Sequence, residues 1–303
     1  MINRSIASII PHMPKKLVWQ ISRKYIAGDN LESAINKARI LQQKGIKFTF
    51  DILGEEFSGE EDAINRCREY IQSVRYVHQH KIQTTFSLKP TMFGLKYDID
   101  FCQDLIRQIV EEAKSHNYMV RLDMEDSTCT DAIIEMFRKL YVDYPEHVGL
   151  VLQAYLYRTN DDIMLLEDLN TEKNRVNIRL CKGIYIEPQS ISIHDKQKLR
   201  DNFIKLLNYM FEKNFFAAIA THDKYLIDKS LDMIYEKGLN KDAYEFQMLY
   251  GVRFDLRNRL LKQNQPVRIY LPYGKEWFKY STRRLRENPS IVSHIIKSLV
   301  MFR

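Results

Sequence analysis

After Gly45, hydrophobic and polar positions alternate in blocks along the chain. Eight times in succession, a short apolar or β-branched segment is followed by a longer segment with apolar residues at helical spacing. The predicted strands cover residues 46–53, 82–89, 118–125, 147–155, 175–183, 215–222, 243–249 and 266–274, and the predicted helices cover 60–80, 98–115, 130–144, 161–169, 194–213, 224–238, 255–263 and 275–287. Strands that alternate with helices predict a parallel sheet. Eight such units are the number that closes a (β/α)8 barrel, with an open doubly wound sheet as the alternative.

The residues before this repeat also predict helix. Leu17, Ile21, Leu31, Ile35 and Leu41 recur among polar residues between positions 10 and 44. No linker rich in Gly, Pro or Ser divides the chain. We therefore predict an α/β fold, a TIM-like barrel over residues 45–303 that follows an N-terminal helical extension over residues 1–44.

The composition is that of a globular protein. Hydrophobic residues make up 45% of the 303 residues and charged residues 28%. The net charge of +7 suits an anionic ligand, a membrane surface or nucleic acid and selects none of them. The longest stretch free of charge runs only from His147 to Tyr157, too short to cross a bilayer. The N-terminus lacks a secretory apolar region, so we expect an intracellular, cytoplasmic protein.

Two residue types exclude further classes of protein. The four cysteines lie far apart without a CxxC pair, which predicts reduced thiols rather than a zinc site or a disulfide framework. The ten glycines form neither GxGxxG nor GxxxxGK[ST], so the sequence has no Rossmann fingerprint and no Walker loop. A nucleotide-type cofactor would have to be held by another device.

Polar residues end six consecutive predicted strands. Active sites of (β/α)8 barrels lie at the carboxyl ends of the strands, so these residues are predicted to converge on one mouth. They are Lys89 on strand two, Asp123 and Glu125 on strand three, Gln153 and Tyr155 on strand four, Arg179, Lys182, Gly183 and Tyr185 on strand five, Thr221 and His222 on strand six, and Glu245 and Gln247 on strand seven.

The last predicted helix carries charge where an outer helix would carry apolar residues. Tyr280, Arg283, Arg284 and Glu287 recur at i, i+3, i+4 and i+7 and share one face. A solvated face is one interpretation. The other is a carboxylate clamp, because two adjacent guanidinium groups offer several planar donors.

Eight segments in a row resemble the proline dehydrogenase family. They are SLKP at Lys89, RLDMED at Asp123, LQAY at Gln153, RLCKGIY at Arg179, ATH at His222, EFQMLYGVR at Leu249, RIYLPYG at Tyr270 and YSTRRLRE at residues 280–287. The resemblance spans roughly residues 51–287. It implies a distorted barrel whose last helix lies over the mouth. It also implies an FAD-dependent, monofunctional enzyme that oxidises L-proline to 1-pyrroline-5-carboxylate, the first step of proline degradation to glutamate, and passes the electrons to a quinone.

The same resemblance implies roles for individual residues. Asp123 and Arg179 match catalytic positions, with Arg179 expected beside the flavin N5 and N1 edge. The residues matching substrate contacts are Lys89, Tyr185, Leu249, Tyr270, Tyr280, Arg283, Arg284 and Glu287. The residues matching flavin contacts are Met124, Gln153, Arg179, Lys182, Gly183, Ile184, Thr221 and His222. We expect Gly183 to let the backbone approach the cofactor. The family often has Val and Ala where this chain has Cys181 and Ile184, which leaves open its preference between proline and hydroxyproline.

Other interpretations remain at this point. Lys89 or Lys182 could form a Schiff base in an aldolase-like barrel. Asp123, Glu125 and His222 could serve a metal-dependent hydrolase, but they are a poor ligand set, and we expect no metal. A non-catalytic binding protein is the third alternative, although no basic run or RNP-like motif supports nucleic acid. A quinone acceptor would require peripheral membrane contact, to which the tail at 291–302 could contribute unless it docks on the barrel.

Overall fold

A computed structural model describes residues 15–54 and 57–287. Eight parallel strands form a closed barrel in sequential order. They are β1 (Lys47–Ile52), β2 (Thr85–Leu88), β3 (Met119–Leu122), β4 (Val148–Gln153), β5 (Asn177–Cys181), β6 (Phe216–Ala220), β7 (Tyr244–Leu249) and β8 (Val267–Tyr273). Strand β1 pairs with β8 from Lys47 opposite Arg268 to Ile52 opposite Tyr273, which closes the sheet. The predicted barrel is therefore confirmed, and the open sheet is excluded.

Ten α-helices accompany the strands in the described part of the chain. They are α1 (Lys15–Ser22), α2 (Leu31–Gln43), α3 (Glu60–Gln79), α4 (Ile99–Ser115), α5 (Thr130–Asp143), α6 (Thr159–Met164), α7 (Lys196–Glu212), α8 (Lys224–Glu236), α9 (Phe254–Lys262) and α10 (Trp277–Glu287). Asp98, Asp195 and Asp223 cap α4, α7 and α8 by accepting hydrogen bonds from backbone amides in the first turn. None of the helices in these ranges is long and apolar enough to cross a membrane.

The N-terminal segment differs from its prediction in one respect. Between positions 15 and 44 the structure has two helices rather than continuous helix, and residues 23–30 connect them. Hydrogen bonds to the end of β8 hold this connection in place, because the Ala27 amide donates to the Pro272 carbonyl and the Gly274 amide donates to the Gly28 carbonyl. Asn30 then caps α2 through the Ser33 amide. The boundary at residue 45 between extension and barrel stays a prediction.

Helix α2 buries one face against the barrel wall. Its apolar residues Ala34, Ile35, Ala38 and Leu41 join the same hydrophobic core as the strands, and the helix contacts β1 and β8. Helix α1 packs instead on α10, where the rings of Trp19 and Trp277 lie 4.6 Å apart at a steep angle. Three residues separate the last helix from β8, and the helix places Tyr280 at the cavity described below.

Candidate active site

A cavity of about 620 Å³ opens at the carboxyl ends of the strands. The structure places most of the predicted site residues on its wall: Lys89, Asp123, Met124, Gln153, Arg179, Lys182, Gly183, Ile184, Tyr185, His222, Leu249, Tyr270 and Tyr280. These residues come from strands β2 to β8, the loops that follow them, and α10. Their individual roles toward substrate and cofactor stay predictions.

Thr221 is the one described residue with a predicted substrate or flavin role that is not among those lining the cavity. Thr221 is buried, and its hydroxyl accepts a hydrogen bond of 3.1 Å from the Asp223 amide. The backbone of Arg283, Arg284 and Glu287 belongs to α10, but their side chains lie outside the described part of the chain. The predicted carboxylate clamp therefore stays a prediction.

Asp123 binds donors from three other strands. Its Oδ1 accepts from the Ser87 hydroxyl and from Arg179 Nη1, both at 2.8 Å, and its Oδ2 accepts from the Tyr270 hydroxyl at 2.8 Å. Lys89 Nζ lies 3.8 Å from Oδ2. Burial alone would raise the pKa of Asp123, but Arg179 and Lys89 outweigh it, so the pKa lies below its usual value. Asp123 is therefore ionised near neutral pH.

The nearest partner of Lys89 is an acid that the sequence reasoning missed. Lys89 Nζ donates to Asp51 Oδ1 at 2.8 Å, and Asp51 is only 1% exposed. Burial works to lower the pKa of Lys89, but the carboxylates of Asp51 and Asp123 outweigh it and raise the pKa. A Schiff-base lysine needs a lowered pKa, so this environment does not favour the aldolase alternative.

Arg179 lies across the barrel interior from Asp123. Its Nε donates to Gln247 Oε1 at 2.5 Å, and its guanidinium carbon lies 5.1 Å from the centre of the Tyr270 ring. Its Nη2 is buried and has no hydrogen-bond partner in the described part of the chain. Buried donors are nearly always paired in native proteins, and because Arg179 lines the cavity, this nitrogen is available to an acceptor on a bound ligand.

Two of the residues predicted to contact the flavin, His222 and Lys182, are held in place by interactions with other residues of the protein. His222 Nε2 accepts from the Leu249 amide at 2.9 Å, which places the proton of a neutral imidazole on Nδ1. Lys182 Nζ lies 3.6 Å from Asp223, which also accepts two hydrogen bonds of 2.9 Å from Arg200. These contacts fix a cation and a polar ring at the edge of the cavity.

Gly183 is required by the protein's own packing. Its φ of +104° disfavours other residues, and a Cβ there would lie 2.1 Å from the ring of Tyr155. We predicted that a Cβ would narrow the approach of a cofactor. The structure shows that the first collision is with Tyr155.

Sequence reasoning missed Asp51 and Ser87 as residues of the site, and it placed Gln247 at the mouth without giving it a role toward substrate or cofactor. Asp51 and Gln247 line the cavity, and Ser87 donates to Asp123 beneath it. The sequence signal that could have revealed Asp51 and Ser87 is the alternation of side-chain direction along a strand. Residues 49 and 51 on β1 and 85 and 87 on β2 pair in register and point to the same face, and each of them is polar. Among the described residues, no three His, Cys, Asp or Glu side chains converge as a metal site would require.

A closed parallel barrel with ionised groups and a deep cavity at its carboxyl end is the architecture of a TIM-barrel enzyme. The family model "Proline dehydrogenase" matches residues 34–297. The proline dehydrogenase of Deinococcus radiodurans is 34% identical over 96% of this chain and 94% of its own length. Proline dehydrogenase 2 of Bacillus subtilis is 36% identical over 91% of this chain and 89% of its own length. The chain belongs to the proline dehydrogenase family.

Solved structures support the fold. The crystal structure of proline utilization A from Bdellovibrio bacteriovorus superposes with a TM-score of 0.82 at 22% identity, covering 89% of this chain and 33% of that chain. A Bradyrhizobium japonicum proline utilization A mutant gives a TM-score of 0.75 at 20% identity. At this identity the comparison shows the barrel alone.

Proposed function

We propose that this proline dehydrogenase, which oxidises proline to 1-pyrroline-5-carboxylate, uses FAD held in the cavity at the barrel mouth. The family is generally flavin-dependent. The observation that carries the proposal is Arg179, a buried cation on the cavity wall with one guanidinium nitrogen unpaired among the described residues. When bound, the flavin would take up the hydride that leaves the substrate, and a fixed cation stabilises the negative charge that results.

Seven of the eight residues proposed to hold the flavin line the cavity, and the eighth, Thr221, is buried next to His222 in the chain. The eight residues are Met124, Gln153, Arg179, Lys182, Gly183, Ile184, Thr221 and His222. Gln153 is itself fixed, because its amide donates to the Glu125 carbonyl at 2.8 Å. Such support keeps polar contacts in place before the cofactor arrives, which lowers the free-energy cost of binding.

Another set of residues is proposed to hold proline. Lys89, Arg283 and Arg284 would bind the carboxylate, and Tyr185, Leu249, Tyr270 and Tyr280 would pack around the ring. Asp123 and Glu287 would position these cations and balance their charge. A ring held between rigid walls presents the carbon next to nitrogen in one orientation, and positioning of this kind is a large part of enzymatic rate acceleration.

Neither Asp123 nor Lys89 is suited to take the proton of the substrate amine. Asp123 is a weak base because its pKa is lowered, and Lys89 already carries its proton because its pKa is raised. Accordingly, proline would react as the neutral amine. The proposal predicts that kcat/KM rises with pH toward the pKa of free proline, without a further ionisation from these two residues.

The electrons would pass to a quinone in a bilayer, which requires the protein to touch a membrane. The net charge of +7 would favour an anionic surface. The tail at 291–302, which could contribute, lies outside the described residues. A liposome-binding assay with anionic and neutral vesicles, with and without this tail, tests the contact.

The decisive experiment combines spectroscopy with two variants of the predicted clamp and one control variant. Purified protein should show flavin absorbance that bleaches on addition of L-proline. The Arg283→Ala and Arg284→Met variants should raise the KM for proline at least tenfold, because each charge-assisted bond contributes about 1.5–3 kcal/mol. Arg286→Ala, on the same helix but off the predicted stripe, is the matched control and should change the KM little. A colourless protein that never binds FAD would refute the cofactor, and an unchanged KM would refute the clamp.

A further inference from the structure

A line of buried polar groups runs beneath the predicted flavin site. Gln247 Oε1 accepts from Arg179 Nε at 2.5 Å, and Gln247 Nε2 donates to Glu245 Oε1 at 2.7 Å. The same Glu245 oxygen accepts from Arg268 Nε at 2.6 Å. Gln247 and Glu245 are two residues apart on β7, so both point into the barrel, and they are 4% and 2% exposed.

This line fixes which way the Gln247 amide faces. A carboxylate can only accept hydrogen bonds. Burial would raise the pKa of Glu245, but Arg268 outweighs burial and lowers the pKa to about 2, so the group is ionised. The NH₂ end of Gln247 must therefore face Glu245, and its carbonyl must face Arg179.

Arg179 is consequently held at two points. Its Nε is bound by Gln247, and its Nη1 donates to Asp123 at 2.8 Å and to Ser87 at 3.2 Å. Because residues of other strands bind these two nitrogens, the guanidinium plane is fixed and Nη2 is the nitrogen left for a ligand. Loss of the Gln247 bond would leave a buried donor unpaired and free the plane to rotate about its remaining contact.

We propose that Gln247, oriented by Glu245, is a positioning residue that holds Arg179 against the flavin and thereby raises the reduction potential of the cofactor. The inference rests on the proposed function, since it requires a flavin beside Arg179. It adds that the guanidinium of Arg179 acts in a fixed orientation, and that Gln247 on β7 helps to set this orientation. Preorganised charge of this kind stabilises a developing anion more than the same charge on a mobile side chain.

The test measures the potential of the bound flavin in Gln247 variants. Gln247→Met removes both amide bonds, and Gln247→Asn keeps the amide but withdraws it by one methylene. In each we expect the equilibrium constant for flavin reduction to fall about tenfold, which is about 30 mV for a two-electron couple. The kcat for proline should fall with it, while the KM changes little because the carboxylate contacts are elsewhere.

Three controls make the result specific. Gln247→Glu keeps an oxygen facing Arg179. The new carboxyl group would share one proton with Glu245, so the total charge of the pair stays the same, and the variant should recover most of the reduction potential of the flavin. Gln265→Met removes another buried glutamine, one that accepts from Tyr244 at 2.7 Å far from the mouth, and should reduce stability without moving the potential. Thermal unfolding of the cofactor-free proteins measures the structural cost separately, and the asparagine variant serves if the methionine variant does not fold.

The possible outcomes separate the two proposals. Wild-type protein that binds no flavin would refute the proposed function. Wild-type protein that binds flavin and is bleached by proline, together with Gln247→Met and Gln247→Asn variants of unaltered potential, would refute the positioning role alone. So would a potential that falls equally in Gln265→Met or fails to recover in Gln247→Glu.

Discussion

At the scale of single residues, the site depends on the charge of Asp123. This carboxylate lies between two cations, Arg179 and Lys89, and binds the Tyr270 hydroxyl as well. Burying a charge is costly unless it is paired and hydrogen-bonded, and each cation is compensated in part by this one group. The carboxylate thus maintains the arrangement that substrate and cofactor would meet.

Asp123→Asn should therefore lower the stability of the fold and also impair the reaction. Removing one partner of a buried ion pair leaves the other uncompensated, and we expect a loss of about 3 kcal/mol in the free energy of unfolding. Urea denaturation measures it. Asp143→Asn is the control, because Asp143 forms an exposed ion pair with Arg107 at 2.7 Å and should cost under about 1 kcal/mol. Equal losses in the two variants would show that Asp123 is not the compensating charge.

The same residue predicts a pH dependence with a definite sign. The pKa of Asp123 is lower in the folded protein than its usual 3.8, so its ionised form stabilises the fold. That contribution is fully present above the pKa of Asp123 in the unfolded state. It is lost as the pH falls through the pKa of Asp123 in the folded state. The free energy of unfolding of the wild type should fall more steeply below pH 3.8 than that of Asp123→Asn. Parallel curves would contradict the lowered pKa.

At the scale of elements, the loop between β5 and α7 brings Tyr185 to the cavity. Both carboxylate oxygens of Glu187 accept from Ser127, one from the amide at 2.7 Å and one from the hydroxyl at 2.8 Å. Ser127 begins the 3₁₀ turn Ser127–Cys129, which precedes α5. The contact ties the loop after β5 to the loop after β3, two residues beyond the tyrosine that is predicted to pack on proline.

Glu187→Ala should loosen this loop without touching the cavity wall. We expect the KM for proline to rise about fivefold, since loss of the contact costs about 1 kcal/mol and 1.4 kcal/mol is tenfold. Glu187→Gln keeps one acceptor and should lie between alanine and the wild type. Steady-state kinetics and limited proteolysis between residues 183 and 195 follow the change. If the loop of the variant is no more susceptible to proteolysis than that of the wild type and the KM is unchanged, Tyr185 is positioned by other contacts.

At the scale of the whole molecule, the sequence predicted the barrel because each strand is a short apolar run between polar helices. It could not reveal features that exist only once the sheet closes. Strand alternation points Asp51 into the barrel, but the sequence does not show that Lys89, 38 positions later, is brought beside it by the pairing of β1 with β2. Arg121 gives no local signal that it is buried in the barrel, where it donates to the Leu150 carbonyl at 2.9 Å. The break between α1 and α2 depends on the distant Pro272 carbonyl.

The N-terminal helix acts at the same scale, since it touches the helix that brings Tyr280 to the cavity. Trp19 of α1 packs edge to face on Trp277, and Lys15 Nζ lies 5.7 Å from the centre of the Phe278 ring. Trp277 begins α10, the helix that carries Tyr280 at the cavity. Residues far from the strands in sequence therefore support one wall of the site.

Trp19→Ala tests this support, because it removes the aromatic contact and leaves every residue of the cavity wall in place. An aromatic pair contributes about 0.5–1.5 kcal/mol beyond its buried area, so α10 should occupy its position at the cavity less often. We expect the KM for proline to rise about fivefold with little change in kcat, because molecules that do bind substrate with α10 in place react as before. Trp19→Phe keeps an aromatic ring and should retain most of the affinity. An unchanged KM in Trp19→Ala would show that β8 alone positions α10, and the N-terminal helix would then have no part in the site.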